Sequence, residues 1–378
     1  MYSSDKRFKD QPTLAARTCT QSTMFISNSL LLPSLLAIGA TALPAPQNNL
    51  KTSLSNSTYG PIPGESRTYV DYNETAAPFP GNITGAILPT ESGPAGPDDL
   101  LFQNLLSAEW AIFDFYQQGV ETFNSSSFTD LGLPNTTYDR VKQIRDNEAG
   151  HLRIFQDSIS ATSVKPGACT YDYGFNGNAS VWLALQVSLE VISMAFLTGL
   201  VREAQTQDTM SALVAIGEVE SRHNTWALID VWNQNPFSGP ADTVFPYANE
   251  ILDLTVQYIV RGSCPTANPS YPLPRQNLPA ATAIYEEARE VVEIVFTDPH
   301  NQPDWYSQQR DRPYYTVYFH GVHNITKPFD TKTNTSSYPT EFDAGKGLII
   351  AVIANEIGAP SLDSVVAGPA IILEQPTF

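Results

Sequence analysis

Basic residues are scarce in this chain: 21 Lys and Arg stand against 39 Asp and Glu, giving a formal net charge of −18 and a pI near 4.5. Phosphate backbones are held by clustered cations, and no such cluster occurs, so the sequence argues against a nucleic-acid partner. Long apolar runs are lacking as well. Beyond an N-terminal stretch we expect no segment with the roughly 20 apolar residues that a bilayer span requires. The chain ends Glu-Gln-Pro-Thr-Phe, without the hydrophobic tail of a lipid-anchor signal, so we expect no membrane anchor. G-x-S-x-G, P-loop and dinucleotide fingerprints are absent, which removes the commonest hydrolase and nucleotide chemistries. Cysteine is rare, at three residues, and so is histidine, at five.

The N-terminus reads as a secretory signal region over residues 1–45. The 23 residues before Met24 are polar and basic, and Met24 is the expected true start. After it comes the apolar stretch 29–42, interrupted by Pro33, with Ala40 and Ala42 at a spacing that signal peptidase accepts. Eight asparagines open N-x-[ST] sequons: Asn56, Asn73, Asn82, Asn124, Asn135, Asn178, Asn324 and Asn334. They avoid the expected helices, as carried glycan would require, so we expect a secreted glycoprotein of the extracellular space or cell wall. If Cys19 leaves with the signal, Cys169 and Cys264 remain. Two cysteines in an oxidising compartment favour one disulfide, with two unrelated buried thiols as the alternative.

With 378 residues, 42% of them hydrophobic, the chain has room for two domains and material for ordinary cores. Residues 46–97, rich in Pro, Gly, Ser, Thr and Asn, read as a glycosylated linker. Residues 98–264 then read as a helical bundle. Asp98 and Asp99 are candidate caps for a helix from Leu100 to about Thr122, followed by helices near Tyr138–Ser160, Ser180–Thr206, Asp208–Trp232 and a shorter one at Tyr247–Val260. From 265 to 378 the composition turns to short Val-, Ile-, Tyr- and Phe-rich segments between turn residues, including Glu290–Thr297, Tyr314–Gly321 and Gly347–Asn355. The expected fold is therefore α+β: a four-helix bundle with a short fifth helix, then a small antiparallel β-sandwich.

Chemistry enters where the helices break their own pattern. Glu109 sits among Phe102, Leu105, Leu106, Ile112, Phe113 and Tyr116 at helical spacing, and Glu148 among Val141, Ile144, Leu152 and Phe155. Glu190 and Glu220 lie in the same kind of apolar register. A lone buried carboxylate is costly, so four of them need a compensating charge. Two of the five histidines follow a glutamate by three residues, as Glu148/His151 and Glu220/His223, which puts each pair on one helical face. A lone Glu followed by Glu-x-x-His occurs twice, the ligand pattern of a carboxylate-bridged two-metal site in a four-helix bundle. The expected metal ligands are Glu109, Glu148, His151, Glu190, Glu220 and His223, with Glu148 and Glu220 shared and two ions about 3.5–4 Å apart. Four carboxylates and two neutral imidazoles balance two divalent ions, and this donor set suits iron ahead of manganese. Asp114, Gln186, Ser193 and Asn224 are candidates to orient the ligands, and Tyr116 either approaches the metals or is ordinary core. Glu203 and Glu218 fall off the ligand face. His300, His320 and His323 are not assigned as ligands.

The segments LSAEWAIFDFY, RDNEAGHLRIF and AIGEVESRHNTW resemble motifs of secreted ferritin-like proteins, in particular the fungal branch named for stress response and late sexual development. YYTVYFHGVHNIT and GLIIAVIANEIGAPSLDSVVAGPAIILEQ resemble the same branch. This resemblance implies a ferritin-like bundle, extracellular placement and a link to stress or development, but no particular reaction. Two functions are expected. The first is a di-iron or di-manganese oxidoreductase acting on O2 or peroxide, or a ferroxidase; a storage cage is disfavoured because glycans and an appended β domain would obstruct assembly. The second is a structural wall glycoprotein that uses the bundle as a scaffold.

Overall fold

The structure is a computed structural model and describes residues 84–286, 289–306 and 312–378. The signal region 1–45, Met24, Cys19, linker residues 46–83 and the sequons at Asn56, Asn73 and Asn82 lie outside the described residues. Helices are α1 Asp99–Thr122, α2 Ser125–Thr129, α3 Thr137–Ser158, α4 Ala179–Leu200, α5 Gln207–Trp226 and α6 Ala248–Asp253. α5 runs into a π-helical turn at Ala227–Val231, and α6 into a 3-10 turn at Leu254–Tyr258.

α1, α3, α4 and α5 form the bundle. Its upper core is aromatic: Trp182 stacks on Phe115 at 4.8 Å and meets Tyr116 edge-on, and it lies so close over Gly119 that a Cβ there would come within 2.5 Å of the indole. Offset and edge-on ring pairs of this kind add to the burial of large apolar area. The start of α1 departs from expectation. Asp98 and Asp99 do not cap it; their side chains accept from residues far along the chain. Asp98 takes Gln205 N at 2.8 Å and Thr206 N at 3.1 Å, while Asp99 takes Ser160 N at 2.9 Å and Ser163 Oγ at 2.6 Å. These bonds hold both carboxyls below their ordinary values despite burial, and they tie α1 to the α4–α5 turn and to the end of α3.

Residues 84–97 are not free linker. Ile87 pairs with Lys165, and Ala168 N donates to Thr84 O at 2.7 Å, so this strip is laid along the α3–α4 connection. The contact needs a glycine at 167, where a Cβ would meet Ala86 N at 2.3 Å. The sequence also hid α2, which Asn124 caps by accepting from Ser127 N at 3.2 Å. Asn178 caps α4 in the same way. Asn124, Asn135, Asn178 and Asn324 are exposed; Asn324 sits in a strand, and Asn334 is half-buried with its amide donating to the Tyr306 hydroxyl.

α4 corrects one expectation. It is the one helix among the described residues long and apolar enough to cross a membrane by length and composition, with mean hydropathy 1.7. In the bundle 67% of its most apolar window is buried, with Gln186 and Glu190 among the buried residues.

The C-terminal strands are β1 Ala281–Glu286, β2 Val291–Phe296, β3 Tyr314–His320, β4 His323–Asp330, β5 Thr335–Ser337, β6 Gly347–Ala354 and β7 Val365–Glu374. They form one seven-stranded antiparallel sheet in the order β1-β2-β5-β4-β3-β6-β7, and the expected sandwich takes the form of a nearly closed barrel. The sheet curls to near closure: Gly368 N on β7 donates to Pro279 O, just ahead of β1, at 2.9 Å. β3 and β6 are buried on both faces, which explains their near-continuous apolar sequences. Val317, Phe319, Ile350 and Val352 join the bundle core, while the alternate residues Tyr318, Ile349, Ala351 and Ile353 fill the interior of the curled sheet with Trp305 and Phe329.

Candidate metal centre

Each of the four long helices delivers donors to one point. Glu109 comes from α1, Glu148 and His151 from α3, Glu190 from α4, and Glu220 and His223 from α5. None is more than 5% exposed. They fall into two overlapping groups, Glu109, Glu148, His151 and Glu220, and Glu148, Glu190, Glu220 and His223; within each group the ligand atoms all lie within 4.8 Å of one another. Glu148 and Glu220 belong to both.

Both imidazoles turn Nδ1 inward. His151 Nδ1 lies 2.9 Å from Glu148 Oε2, 3.3 Å from Glu109 Oε1 and 3.4 Å from Glu220 Oε1. His223 Nδ1 lies 3.0 Å from Glu148 Oε1, 3.1 Å from Glu220 Oε2 and 3.5 Å from Glu190 Oε2. Each nitrogen is thus ringed by oxygens of three carboxylates. Even so, Glu109 Oε1, Glu148 Oε1, Glu190 Oε2 and Glu220 Oε1 are buried and, although near an imidazole nitrogen, accept no aligned hydrogen bond. A poorly satisfied oxygen on each of four buried carboxylates is a cost that a bound cation removes, so the residues present fit metal ions.

Without metal, protons do this work. Burial, then the charge of Glu148, raises Glu109 well above the carboxylate range. Burial outweighs the pull of His223 and lifts Glu190 to about 8. Burial alone would also raise Glu148 and Glu220, but the neighbouring imidazoles hold both below the ordinary value. Burial disfavours the imidazolium ions, yet the surrounding carboxylates raise His151 and His223 well above their ordinary value. The shifts thus favour charged imidazoles beside ionised Glu148 and Glu220, with Glu109 and Glu190 displaced toward the neutral acid, which keeps the charge of the buried cluster low.

Two groups support the cluster from behind. Tyr116 on α1 is fully buried and donates its hydroxyl to Glu190 Oε1, while Gln186 Nε2 donates to the Tyr116 hydroxyl at 3.0 Å. Asn147 on α3 faces His223 Nε2 through Oδ1 at 3.1 Å and fixes that edge of the ring. Asn147 was not singled out from sequence, although it stands next to Glu148. Asn224 and Ser193 are buried, with Oδ1 and Oγ unpartnered. Glu203 and Glu218 are exposed, and Glu218 is 3.4 Å from Arg222. His320 is taken up on both ring nitrogens, by Leu348 O at 3.1 Å and Asp343 N at 3.1 Å, and His300 and His323 are exposed.

Asp114 does not touch a ligand. It accepts from Gln118 Nε2 at 2.7 Å and from the Tyr173 hydroxyl at 3.4 Å, and burial pushes it up to about 6. As pH rises the unfolded chain ionises Asp114 first, so this residue withdraws stability between pH about 4 and about 6 and holds the loss constant above. Asp114→Asn keeps an acceptor for Gln118 and cannot ionise. It should match the wild type near pH 4 and exceed it above pH 6 by on the order of 1–2 kcal/mol after allowance for partial exposure. Urea midpoints from pH 4 to 8 check this; a difference independent of pH would rule it out.

The geometry defines a helical bundle with a buried carboxylate–histidine cluster compatible with metal binding. Residues 98–229 match the family model described as a ferritin-like domain, the stretch that carries all six cluster residues. No curated protein matches the chain. The chain is therefore a ferritin-like helical domain followed by a curled antiparallel sheet.

Proposed function

We propose that this chain is a secreted glycoprotein whose bundle holds two divalent ions, iron ahead of manganese, for redox chemistry with O2 or peroxide or for oxidation of Fe2+. The observation that carries this reading is the complete donor set, drawn from four helices and centred on the shared Glu148 and Glu220. Glu109 and His151 would complete the set of one ion, Glu190 and His223 that of the other. When bound, such a metal pair supplies electron transfer to or from O2 or peroxide.

The chain's own residues define what surrounds that chemistry. Burial, followed by the adjacent Glu190, raises the Tyr116 hydroxyl well above its ordinary range, so it stays a proton donor and holds Glu190 in one orientation. Asn147 retains the proton on His223 Nε2, which leaves Nδ1 as the ligating nitrogen. Leu105, Leu106, Ile112 and Leu152, none measurably exposed, exclude water. The described cysteines are joined to each other and offer no thiolate, so nothing favours soft metals. That disulfide and the exposed sequons support secretion. The link to stress or development rests on the sequence resemblance.

Metal must compete with the protons that stabilise the buried cluster. Glu109, Glu190, His151 and His223 are all shifted toward their protonated forms, so loading should release more than one proton per chain, and affinity should climb with pH. A pH-stat titration with Mn2+ measures the release; one proton or fewer would contradict the protonation pattern. The reading as a whole is tested on protein from its native host by elemental analysis, Fe2+-oxidation and peroxide-consumption assays. Close to two iron or manganese ions per chain with turnover supports it. Metal without turnover would leave the scaffold reading in its place.

A further inference from the structure

We propose that divalent cations reach the cluster through a crevice between the bundle and the C-terminal sheet, and that Asn224 supplies the last oxygen they meet before the ligand glutamates. The proposal rests on the metal-centre reading. The crevice has a volume of about 370 Å³. One wall is the α4–α5 seam, with Val191, Thr198, Ser221 and Asn224; the other comes from the segment 236–243 and from β6 and the end of β7. Val191 directly follows Glu190, Ser221 follows Glu220, and Asn224 follows His223. The wall is therefore the flank of the helix faces that carry the second ligand group.

Asn224 belongs to both sides. It lines the crevice and stands four residues after Glu220, on the same helical face. It is 6% exposed, and its Oδ1 has no hydrogen-bond partner. Ser193, three residues after Glu190, is wholly buried with its Oγ equally unpartnered. Unpartnered buried acceptors are rare and costly, and oxygens of this kind are what a hard cation needs as it sheds hydration water. The remaining lining agrees. Asp242, exposed, is the one charged residue among those lining the crevice, with no lysine or arginine to repel a cation, and Thr198, Ser221, Thr225 and Thr243 add hydroxyl oxygens. An exposed carboxylate raises the local cation concentration, and the inner oxygens pass the ion on.

The test uses the full chain stripped by chelator, with Co2+ as the probe, its uptake followed by stopped-flow absorbance and its final content by elemental analysis. Asn224→Leu removes the inner oxygen at similar size, and Ser221→Trp plugs the crevice from an exposed position. Each should slow uptake by about tenfold or more without changing the final content, since neither residue is a ligand. Asp242→Asn should slow it about two- to threefold and flatten its dependence on ionic strength. Glu218→Gln, exposed elsewhere on α5, should behave as wild type. Wild-type rates in both Asn224→Leu and Ser221→Trp would overturn the route while leaving the metal centre standing. A wild-type chain that takes up no Co2+ would overturn the metal centre and the route together. If Asn224→Leu does not fold, Ser221→Trp decides alone.

Discussion

Glu148→Ala is expected to leave the chain with almost no bound metal, whereas Glu109→Ala should still retain about one ion. The difference follows from position rather than from residue type. Glu148 belongs to both ligand groups, with one oxygen 2.9 Å from His151 Nδ1 and the other 3.0 Å from His223 Nδ1, while Glu109 belongs to one group. Removing a shared carboxylate takes one ligand and one negative charge from both ions at once. Glu220→Ala should behave like Glu148→Ala, and Glu190→Ala like Glu109→Ala. Once the ions are lost, the remaining carboxylates have no divalent counter-charge in a dry site, and protons compete with metal for them. Metal content per chain after equilibration with excess Fe2+ or Mn2+, then desalting, gives the result. Equal losses in all four variants would remove the distinction between shared and single ligands.

Loss of the disulfide is the other large effect. Cys169 and Cys264 are bonded across a sequence separation of 95 residues, a loop that spans α4, α5 and α6. Closing a loop of that length constrains the unfolded chain by about 4–5 kcal/mol in the chain-entropy model. The folded state keeps the strands on either side together by other means: Val260 N donates to Thr170 O at 2.9 Å, Asp172 N to Tyr258 O at 2.8 Å, and Thr170 N to Ser263 Oγ at 2.9 Å. The double variant Cys169→Ala/Cys264→Ala should therefore fold with the same helical content and unfold about 4–5 kcal/mol more easily in denaturant. A loss below about 1 kcal/mol would show that the bond constrains little.

The six cluster residues could be found from sequence because each violates its surroundings: a carboxylate in an apolar helical register is a local contradiction that something must resolve. The supporting groups carry no such mark. Tyr116 is apolar enough to pass as core, and its role depends on Glu190, which lies 74 residues away in sequence. Asn147 looks like any polar helix residue until His223 is placed beside it. Asp98 and Asp99 show how the same letters serve two purposes, since aspartates ahead of a helix read as caps and here clamp distant backbone instead. Helix positions were legible from periodicity, although α4 ends at Leu200 rather than Thr206 and α6 is α-helical only to Asp253; the docking of residues 84–97 was not, because a strip rich in Pro and Gly gives no period. In the sheet, β3 and β6 show as apolar runs because both of their faces are covered. β7 is interrupted by Ala-Gly-Pro, where the pairing with β6 shifts register near Ala351 and Gly368 takes φ +101°. Strand order was not recoverable, because β2 pairs with β5 and β6 with β3 through contacts that no local pattern encodes.

The central claim is that the bundle binds two metals through these six side chains. Crystals of the protein equilibrated with Mn2+ or Fe2+, with anomalous diffraction recorded at the edge of the added metal, test it most directly. Two anomalous peaks are predicted, one bounded by Glu109, His151, Glu148 and Glu220, the other by Glu190, His223 and the same two shared glutamates. No peak at the cluster, or peaks confined to surface carboxylates, would contradict it.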